Sequence, residues 1–146
     1  MDIHVHIVCV ISGYKHIELQ IGTYIASMYT SVVEVGAGSN LTAAQVLYDA
    51  GINLICTDII PYRGEIPFLY VIDTIWDPDI SLYSHADCIY AIRPTEEMMS
   101  SLIRVAMRVN ADLLIYHLGF EGYESDIRPD IIDCGVPLMR YVRRQN

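Results

Sequence analysis

The sequence predicts an α/β fold, a three-layer sandwich in which a mainly parallel sheet lies between helices. The strand-like segments are continuous apolar runs, which is typical of strands that are covered on both faces. Strand-like and helix-like segments also alternate along the chain, the order that builds parallel sheets. Because crossover connections between parallel strands are right-handed, the expected strand order is 3-2-1-4-5.

Each element follows from a local pattern. Apolar residues between Lys15 and Tyr29 recur at spacings of three and four, which predicts an amphipathic helix before the first strand. Asn40 is the predicted N-cap of the helix after strand one, and Gly51 is its predicted end. Thr95 is the predicted cap of the helix after strand four. The predicted strands begin near Val32, Ile52, Phe68, Asp87 and Asp112.

The chain of 146 residues has the length of one domain. We expect a single Rossmann-like domain over 1–146, with an N-terminal segment and helix at 1–30, a nucleotide-binding core at 31–119 and a C-terminal tail at 120–146. The sheet is expected to be truncated after strand five, with room only for a short edge strand around Leu138 to Val142.

Charge and composition exclude several classes of protein. The formal net charge of -9 argues against a nucleic-acid partner, because duplex binding depends on neutralising phosphates, although Arg140, Arg143 and Arg144 form a small basic group. The four cysteines lack C-x-x-C spacing, as expected of buried thiols in a cytoplasmic protein. The N-terminal apolar run predicts neither a signal peptide nor a membrane span. His4 and His6 have no third metal ligand nearby, so no metal site is predicted.

The stretch "VVEVGAGSN" carries a carboxylate, Glu34, followed by Gly36 and Gly38. A glycine-rich turn between a strand and a helix lets the backbone approach a ligand. The dinucleotide pattern G-x-G-x-x-G requires a third glycine where Leu41 stands, which argues against a nicotinamide or flavin dinucleotide. Since a carboxylate is unfavourable beside a pyrophosphate and favourable beside a cation, the pattern favours a small, positively charged nucleoside.

This stretch resembles motif I of class I S-adenosylmethionine-dependent methyltransferases, (D/E)-x-G-x-G-x-G, with Asn40 in place of the last glycine. The resemblance implies S-adenosylmethionine as the cofactor, bound by Glu34, Gly36 and Gly38. It also implies that Asp58, at the end of strand two, accepts hydrogen bonds from the ribose hydroxyls. A carboxylate about 20 residues beyond the glycines is also what ribose recognition requires.

The same resemblance implies that Asp73, at the end of strand three, lies by the adenine amino group. Each acidic residue also has a structural interpretation. Glu34 is suited to bracing the loop, and Asp58 is suited to forming a turn before Pro61. Asp73 belongs to an acidic group with Asp77 and Asp79, which is either a solvated loop or a cation site that lacks the spacing of a calcium loop.

Arg93 follows strand four in "IRPT", where amino-methyltransferases often place (N/D)-P-P-(Y/F). A guanidinium there is suited to holding a substrate carboxylate or phosphate, or else to forming a structural salt bridge with Glu96, Glu97 or an acidic loop. His117 ends strand five, where it is either a base or a core histidine. No catalytic residue is assigned.

A second resemblance covers most of the chain, from Val32 to Gly119. The stretch "WDPDISLYSHADCIYAIRPTEEM" followed by "RVNADLLIYHLG" is similar to the archaeal UPF0146 family, most specifically in its I-R-P-x-E element. That resemblance implies a methyltransferase-like core.

Three functions remain open from the sequence. The first is an S-adenosylmethionine-binding protein, a methyltransferase of unknown acceptor. The second is a non-catalytic cofactor- or nucleotide-binding module that acts through a protein partner, and the third is a nucleotide-binding protein unrelated to methylation. Because few residues follow His117, an enzyme would need its N-terminal segment, a homodimer or another protein to complete the acceptor side.

Overall fold

The computed structural model of the protein describes residues 13–117 and 127–146. Within those ranges, seven strands form one sheet, and three α-helices pack on it. The helices are α1 (Gly13–Met28), α2 (Thr42–Asp49) and α3 (Met99–Val109). The strands are β1 (Ser31–Val35), β2 (Asn53–Asp58), β3 (Leu69–Ile72), β4 (Cys88–Ile92), β5 (Asp112–Tyr116), β6 (Asp130–Asp133) and β7 (Pro137–Val142). Two 3-10 turns lie at Ile80–Leu82 and Glu96–Met98.

The first five strands are parallel and lie in the predicted order, 3-2-1-4-5. Each begins within one residue of its predicted start. The α/β fold with a mostly parallel sheet is therefore confirmed. In such sheets ligands bind beyond the carboxyl ends of the strands, where neighbouring connections leave in opposite directions. Here that point lies between β1 and β4, which are neighbours in the sheet.

The prediction that the sheet is truncated after strand five is wrong. β7 pairs antiparallel with β5, and β6 pairs antiparallel with β7, so the order across the whole sheet is β3-β2-β1-β4-β5-β7-β6. The segment that we expected as a tail therefore contributes two strands. β7 is an inner strand, not the expected edge strand, and its Leu138 and Tyr141 are buried.

A tight turn joins β6 to β7. Gly135 has a φ of +96°, which favours glycine, and its amide donates to Asp133 Oδ1 at 3.1 Å. This hairpin supplies antiparallel strands beyond strand five, whose expected absence was the reason to look for a partner on the acceptor side. A partner protein or a homodimer stays a prediction.

The sheet separates two apolar layers. On one face, strand side chains pack against α1 and α2, and these include Val32, Cys56, Tyr90 and Leu114. On the other face they pack against α3, and these include Val33, Val35, Ile89 and Ile115. Because strand side chains alternate between faces, Glu34 points to the α1 side together with Val32.

The helix ends differ slightly from the predicted caps. Asn40 Oδ1 accepts from the Thr42 hydroxyl at 2.9 Å and amide at 3.4 Å, but Leu41 holds the N-cap position of α2. Gly51, with a φ of +80°, follows the end of α2 as predicted. Thr95 precedes the 3-10 turn at Glu96–Met98 without a side-chain cap.

Candidate functional site

The turn between β1 and α2 contains two glycines, so its backbone at the carboxyl end of β1 is not covered by side chains of those residues. Gly36 and Gly38 have φ values of +69° and +63°, the left-handed region that favours glycine. The amides of Gly36 and Ala37 both donate to the Thr57 carbonyl, at 2.9 and 3.1 Å. A Cβ placed on Gly38 would meet only the Gly36 carbonyl oxygen, at 4.0 Å. The turn is therefore held to β2, and the space in front of Gly38 is open.

Asp58 ties this turn to the end of β2. Its Oδ2 accepts the Gly38 amide at 2.7 Å, and its Oδ1 accepts the Ile60 amide at 3.1 Å. The structure thus brings Gly38 and Asp58 into direct contact. The bond to Ile60 is the turn-forming role that the sequence also allowed. Since each carboxylate oxygen has two lone pairs, both oxygens keep acceptor capacity for a ligand.

A cleft of about 440 Å³ opens beside Gly38 and Asp58, within the size range of small-molecule sites. The Tyr70 hydroxyl lies 3.3 Å from the Gly38 carbonyl oxygen, to which it donates, and its ring centroid is 5.6 Å from that of Tyr62. The cleft is lined by Gly38, Ser39, Asp58, Ile60, Pro61, Tyr62, Arg63 and Tyr70. We call it the Asp58 cleft. Its wall combines one carboxylate with aromatic and aliphatic side chains.

Asp73 does not line the Asp58 cleft. Its amide donates to the Asp58 carbonyl at 3.0 Å, so its backbone lies next to Asp58. Its carboxylate accepts from the Asp79 amide at 3.0 Å and from the Tyr83 hydroxyl at 3.2 Å, which braces the loop after β3. An adenine contact for Asp73 stays a prediction.

Glu34 is buried, with 2% of its surface exposed. Its Oε1 accepts a hydrogen bond from the Tyr90 hydroxyl of β4. Burial raises the pKa of Glu34 to about 8; the Tyr90 hydrogen bond opposes this shift, and the carboxyl groups of Glu18 and Asp58 add to it. Glu34 lies two residues before the first glycine of the turn, and its raised pKa therefore favours the protonated form at neutral pH.

Glu18, on α1, is a further buried acid that the sequence analysis did not single out. Only 2% of its surface is exposed, and within the described ranges its Oε2 has no hydrogen-bond partner. Burial raises the pKa of Glu18 to about 7, and the nearby Arg93 guanidinium opposes that shift. Glu18 shares the buried stripe of α1 with Ile21 and Ile25, three and seven residues on, so a lone acid in an apolar stripe was the available signal.

Arg93 lies just beyond β4 in a left-handed backbone conformation, with a φ of +54°. Its amide donates to the Tyr116 carbonyl at 2.7 Å, and its guanidinium lies 5.3 Å from the centre of the Tyr116 ring. A residue other than glycine is uncommon at positive φ, and such residues are often found at functional sites. The structure thus gathers Arg93, Glu34 and Glu18 near the carboxyl ends of β1 and β4.

The pKa shift of Glu34 leads to a testable pH dependence. A carboxyl whose folded-state pKa is raised favours folding most below its ordinary pKa, and that contribution is lost as the pH rises through the folded-state value. We therefore expect the free energy of unfolding of the wild type to fall between about pH 5 and pH 8. Glu34→Gln keeps an acceptor for Tyr90 and cannot ionise, so its stability should fall less over this range. Urea unfolding followed by circular dichroism at several pH values measures the difference.

The matched control for that measurement is Glu97→Gln, which removes an exposed carboxyl. Its pH profile should follow that of the wild type. A Glu34→Gln profile parallel to the wild type would show that Glu34 does not carry the buried proton.

Other charged groups belong to the framework. Arg140 and Arg143 pair with Asp130 at 2.9 and 3.0 Å, and Arg144 lies 3.7 Å from Asp87. The C-terminal arginines are therefore partly neutralised by neighbouring carboxylates.

Three further observations concern predicted features. His117 is buried, and its Nε2 lies 2.5 Å from the Tyr141 hydroxyl, the setting of a core histidine. No cluster of three metal-ligating side chains occurs in the described part of the chain, and His4 and His6 lie outside it. None of the described helices is long and apolar enough to cross a membrane.

The parallel sheet and the glycine turn at the end of its first strand together define a Rossmann-like fold, with the Asp58 cleft beside that turn. The chain belongs to the family described as "Uncharacterised protein family (UPF0146)", whose model matches residues 18–129. The UPF0146 protein of Archaeoglobus fulgidus is 32% identical over 129 residues, which cover 88% of this chain and 96% of the relative. That of Methanothermobacter thermautotrophicus is 38% identical over 107 residues, covering 73% and 77%.

A solved structure supports the fold. The sugar N-methyltransferase KedS8 from Streptoalloteichus superposes with a TM-score of 0.52 at 14% identity, over 82% of this chain and 54% of that chain. This chain thus spans about half of the length of KedS8. At such low identity the likeness concerns the fold.

Proposed function

We propose that this protein binds S-adenosylmethionine at the carboxyl ends of β1 and β2. The observation that carries the proposal is the pairing of Asp58 with the Gly38 amide at 2.7 Å, in a turn that leaves open space in front of Gly38. When bound, the cofactor supplies a methyl group on a sulfonium sulfur. The protein holds and orients it.

The ribose and the base fit the Asp58 cleft. The free lone pairs of Asp58 are suitable acceptors for the ribose hydroxyls. Tyr62, Tyr70 and Ile60 line the cleft with apolar and aromatic surface, which suits a planar base. Small-molecule sites commonly combine a mostly apolar wall with a few polar or charged groups of this kind.

The charge of the site favours this ligand over nucleotides. The carboxylate of Asp58 accepts the Gly38 amide at the glycine turn, where it repels the phosphates of ATP or of a dinucleotide. The sulfonium and the amino group of S-adenosylmethionine are positive. Arg93, near Glu18, is a suitable contact for the carboxylate of the methionyl group or of an acceptor substrate.

A binding titration separates this function from the alternatives. S-adenosylmethionine and S-adenosylhomocysteine are expected to bind to the purified protein, whereas NAD and ATP should bind weakly or not at all under the same conditions. Isothermal calorimetry with each compound measures this. Tight binding of ATP or NAD, without binding of either S-adenosyl compound, would refute the proposal.

Transfer of the labelled methyl group to fractionated cell extract then distinguishes an enzyme from a binding module. Incorporation of label into one fraction identifies an acceptor. Binding without incorporation in any fraction favours the non-catalytic module that acts through a partner.

A further inference from the structure

Two buried carboxyl groups and one half-buried arginine, with a buried Nε, interact through their charges where α1 packs near the carboxyl ends of β1 and β4. Glu18 and Glu34 are each 2% exposed. The charge of Arg93 acts on Glu18, and the charge of Glu18 acts on Glu34. Glu18 Oε2 is buried without a hydrogen-bond partner within the described ranges. Buried polar atoms in proteins are nearly always hydrogen-bonded, so this carboxyl oxygen is an unused acceptor within the described part of the chain. We call Glu18, Glu34 and Arg93 the buried charge cluster.

The charge of this cluster depends on its protons. With Arg93 positive, one ionised carboxylate makes the cluster neutral, and a second would leave an uncompensated negative charge in a buried place. Such a charge is costly, so the cluster retains a proton. A positively charged ligand nearby removes that cost, because it supplies the missing counter-charge.

We propose that Glu18 and Glu34 bind the cationic cofactor by releasing the proton that the cluster retains, so that the protein distinguishes S-adenosylmethionine from S-adenosylhomocysteine by charge. The inference rests on the proposed function. S-adenosylmethionine carries one net positive charge at neutral pH, whereas the thioether product is a neutral zwitterion. Only S-adenosylmethionine therefore supplies a positive charge that balances a second ionised carboxylate in the cluster.

The other groups that act on Glu34 do not replace it as the proton donor. Tyr90 from β4 donates a hydrogen bond to Glu34, and burial raises the pKa of Tyr90 well above its ordinary value. Burial likewise raises the pKa of Cys56 from β2, and it raises that of Tyr70 from β3 to about 12. These three groups stay protonated near neutral pH. Asp58, also from β2, adds negative charge that further disfavours ionisation of Glu34.

The direction of the pH effect follows from linkage. Glu34 and Glu18 have pKa values raised by burial to about 8 and about 7, so near neutral pH the free protein holds a proton that the complex releases. Release of one proton makes binding about tenfold tighter per pH unit. The affinity for S-adenosylmethionine should therefore rise by roughly fivefold to tenfold between about pH 7 and pH 8, where Glu18 is mostly ionised and Glu34 still holds a proton, and that for S-adenosylhomocysteine should change little.

Calorimetry of the full chain tests this directly. Titrations with S-adenosylmethionine at neutral pH, in phosphate and in Tris, differ in apparent enthalpy by the protons released times the difference in buffer ionisation enthalpy. We expect about one proton released per S-adenosylmethionine and close to none per S-adenosylhomocysteine. Glu18→Gln and Glu34→Gln should each reduce the release, and Glu97→Gln, at an exposed site, should leave it unchanged.

Each result decides one of the two proposals. If both ligands bind and release equal numbers of protons, or S-adenosylmethionine binds without release, the charge discrimination is wrong while the proposed function stands. If neither ligand binds, the proposed function itself is wrong. The comparison of the two ligands uses the wild type, so it remains decisive if a variant does not fold.

Discussion

Replacing Asp58 with alanine is expected to weaken the binding of S-adenosylhomocysteine about tenfold to a hundredfold, which corresponds to about 1.5 to 3 kcal/mol. In the proposed complex the carboxylate accepts the ribose hydroxyls, and hydrogen bonds to an ionised acceptor are the strong ones. The same carboxylate also holds the Gly38 amide at 2.7 Å. Titration calorimetry of the wild type and the variant measures the loss.

A chemical control separates ribose recognition from loss of the loop brace. The 2′-deoxyribose analogue of S-adenosylhomocysteine should bind the wild type more weakly, and Asp58→Ala should bind the two ligands with nearly equal affinity. Asp133→Ala removes a carboxylate that accepts a turn amide, that of Gly135, at 3.1 Å in the distant β6–β7 hairpin. It should leave affinity unchanged. Equal losses for the analogue in the wild type and in Asp58→Ala would assign Asp58 to the loop alone.

The strands and the position of Asp58 could be predicted because both depend on local sequence. A continuous apolar run that ends in a carboxylate marks the end of a covered strand, and parallel strands bring such ends to one edge of the sheet. Asp58 and Gly38 are therefore neighbours, as their hydrogen bond shows. Asp73 also follows its strand as predicted, but its carboxylate accepts hydrogen bonds from Asp79 and Tyr83 of the segment that follows β3.

The buried charge cluster could not be predicted, since its members come from separate elements. Glu18 belongs to a helix, Glu34 to a strand and Arg93 to a connection, and only the packing of α1 on the sheet brings them together. The acid in the apolar stripe of α1 marked a buried carboxyl without indicating its neighbours. The proton that Glu34 retains likewise depends on its burial, which no motif specifies, and is retained although the Tyr90 hydrogen bond favours the ionised form.

The β6–β7 hairpin was missed for a different reason. β6 reads "DIID", a short segment with acids at both ends and exposed side chains, which lacks the apolar character of the inner strands. As an edge strand it buries little, and charged residues on an edge strand also discourage pairing with other chains. Only β7, with the buried Leu138, carried a strand signal.

Gly38→Val is expected to reduce the affinity for S-adenosylhomocysteine as strongly as Asp58→Ala, about tenfold to a hundredfold. Gly38 has a φ of +63°, which a β-branched side chain adopts only with strain. Relief of that strain moves the amide that Asp58 holds, and the added side chain occupies the open space in front of the turn. Calorimetric titration measures the affinity, and thermal unfolding measures the strain.

Gly51→Val provides the matched control for this substitution. Gly51 also has a positive φ, +80°, and a Cβ there would meet no atom within 4 Å, but it lies at the end of α2, before β2 begins. The carboxyl ends of the strands lie on the opposite edge of the sheet. Both valine variants should therefore unfold at a lower temperature than the wild type. The strain of a side chain at positive φ should lower their free energy of unfolding by about 1 to 3 kcal/mol. Only Gly38→Val should lose ligand affinity, because only its backbone adjoins the Asp58 cleft; equal affinities for the two variants would remove the glycine turn from the site.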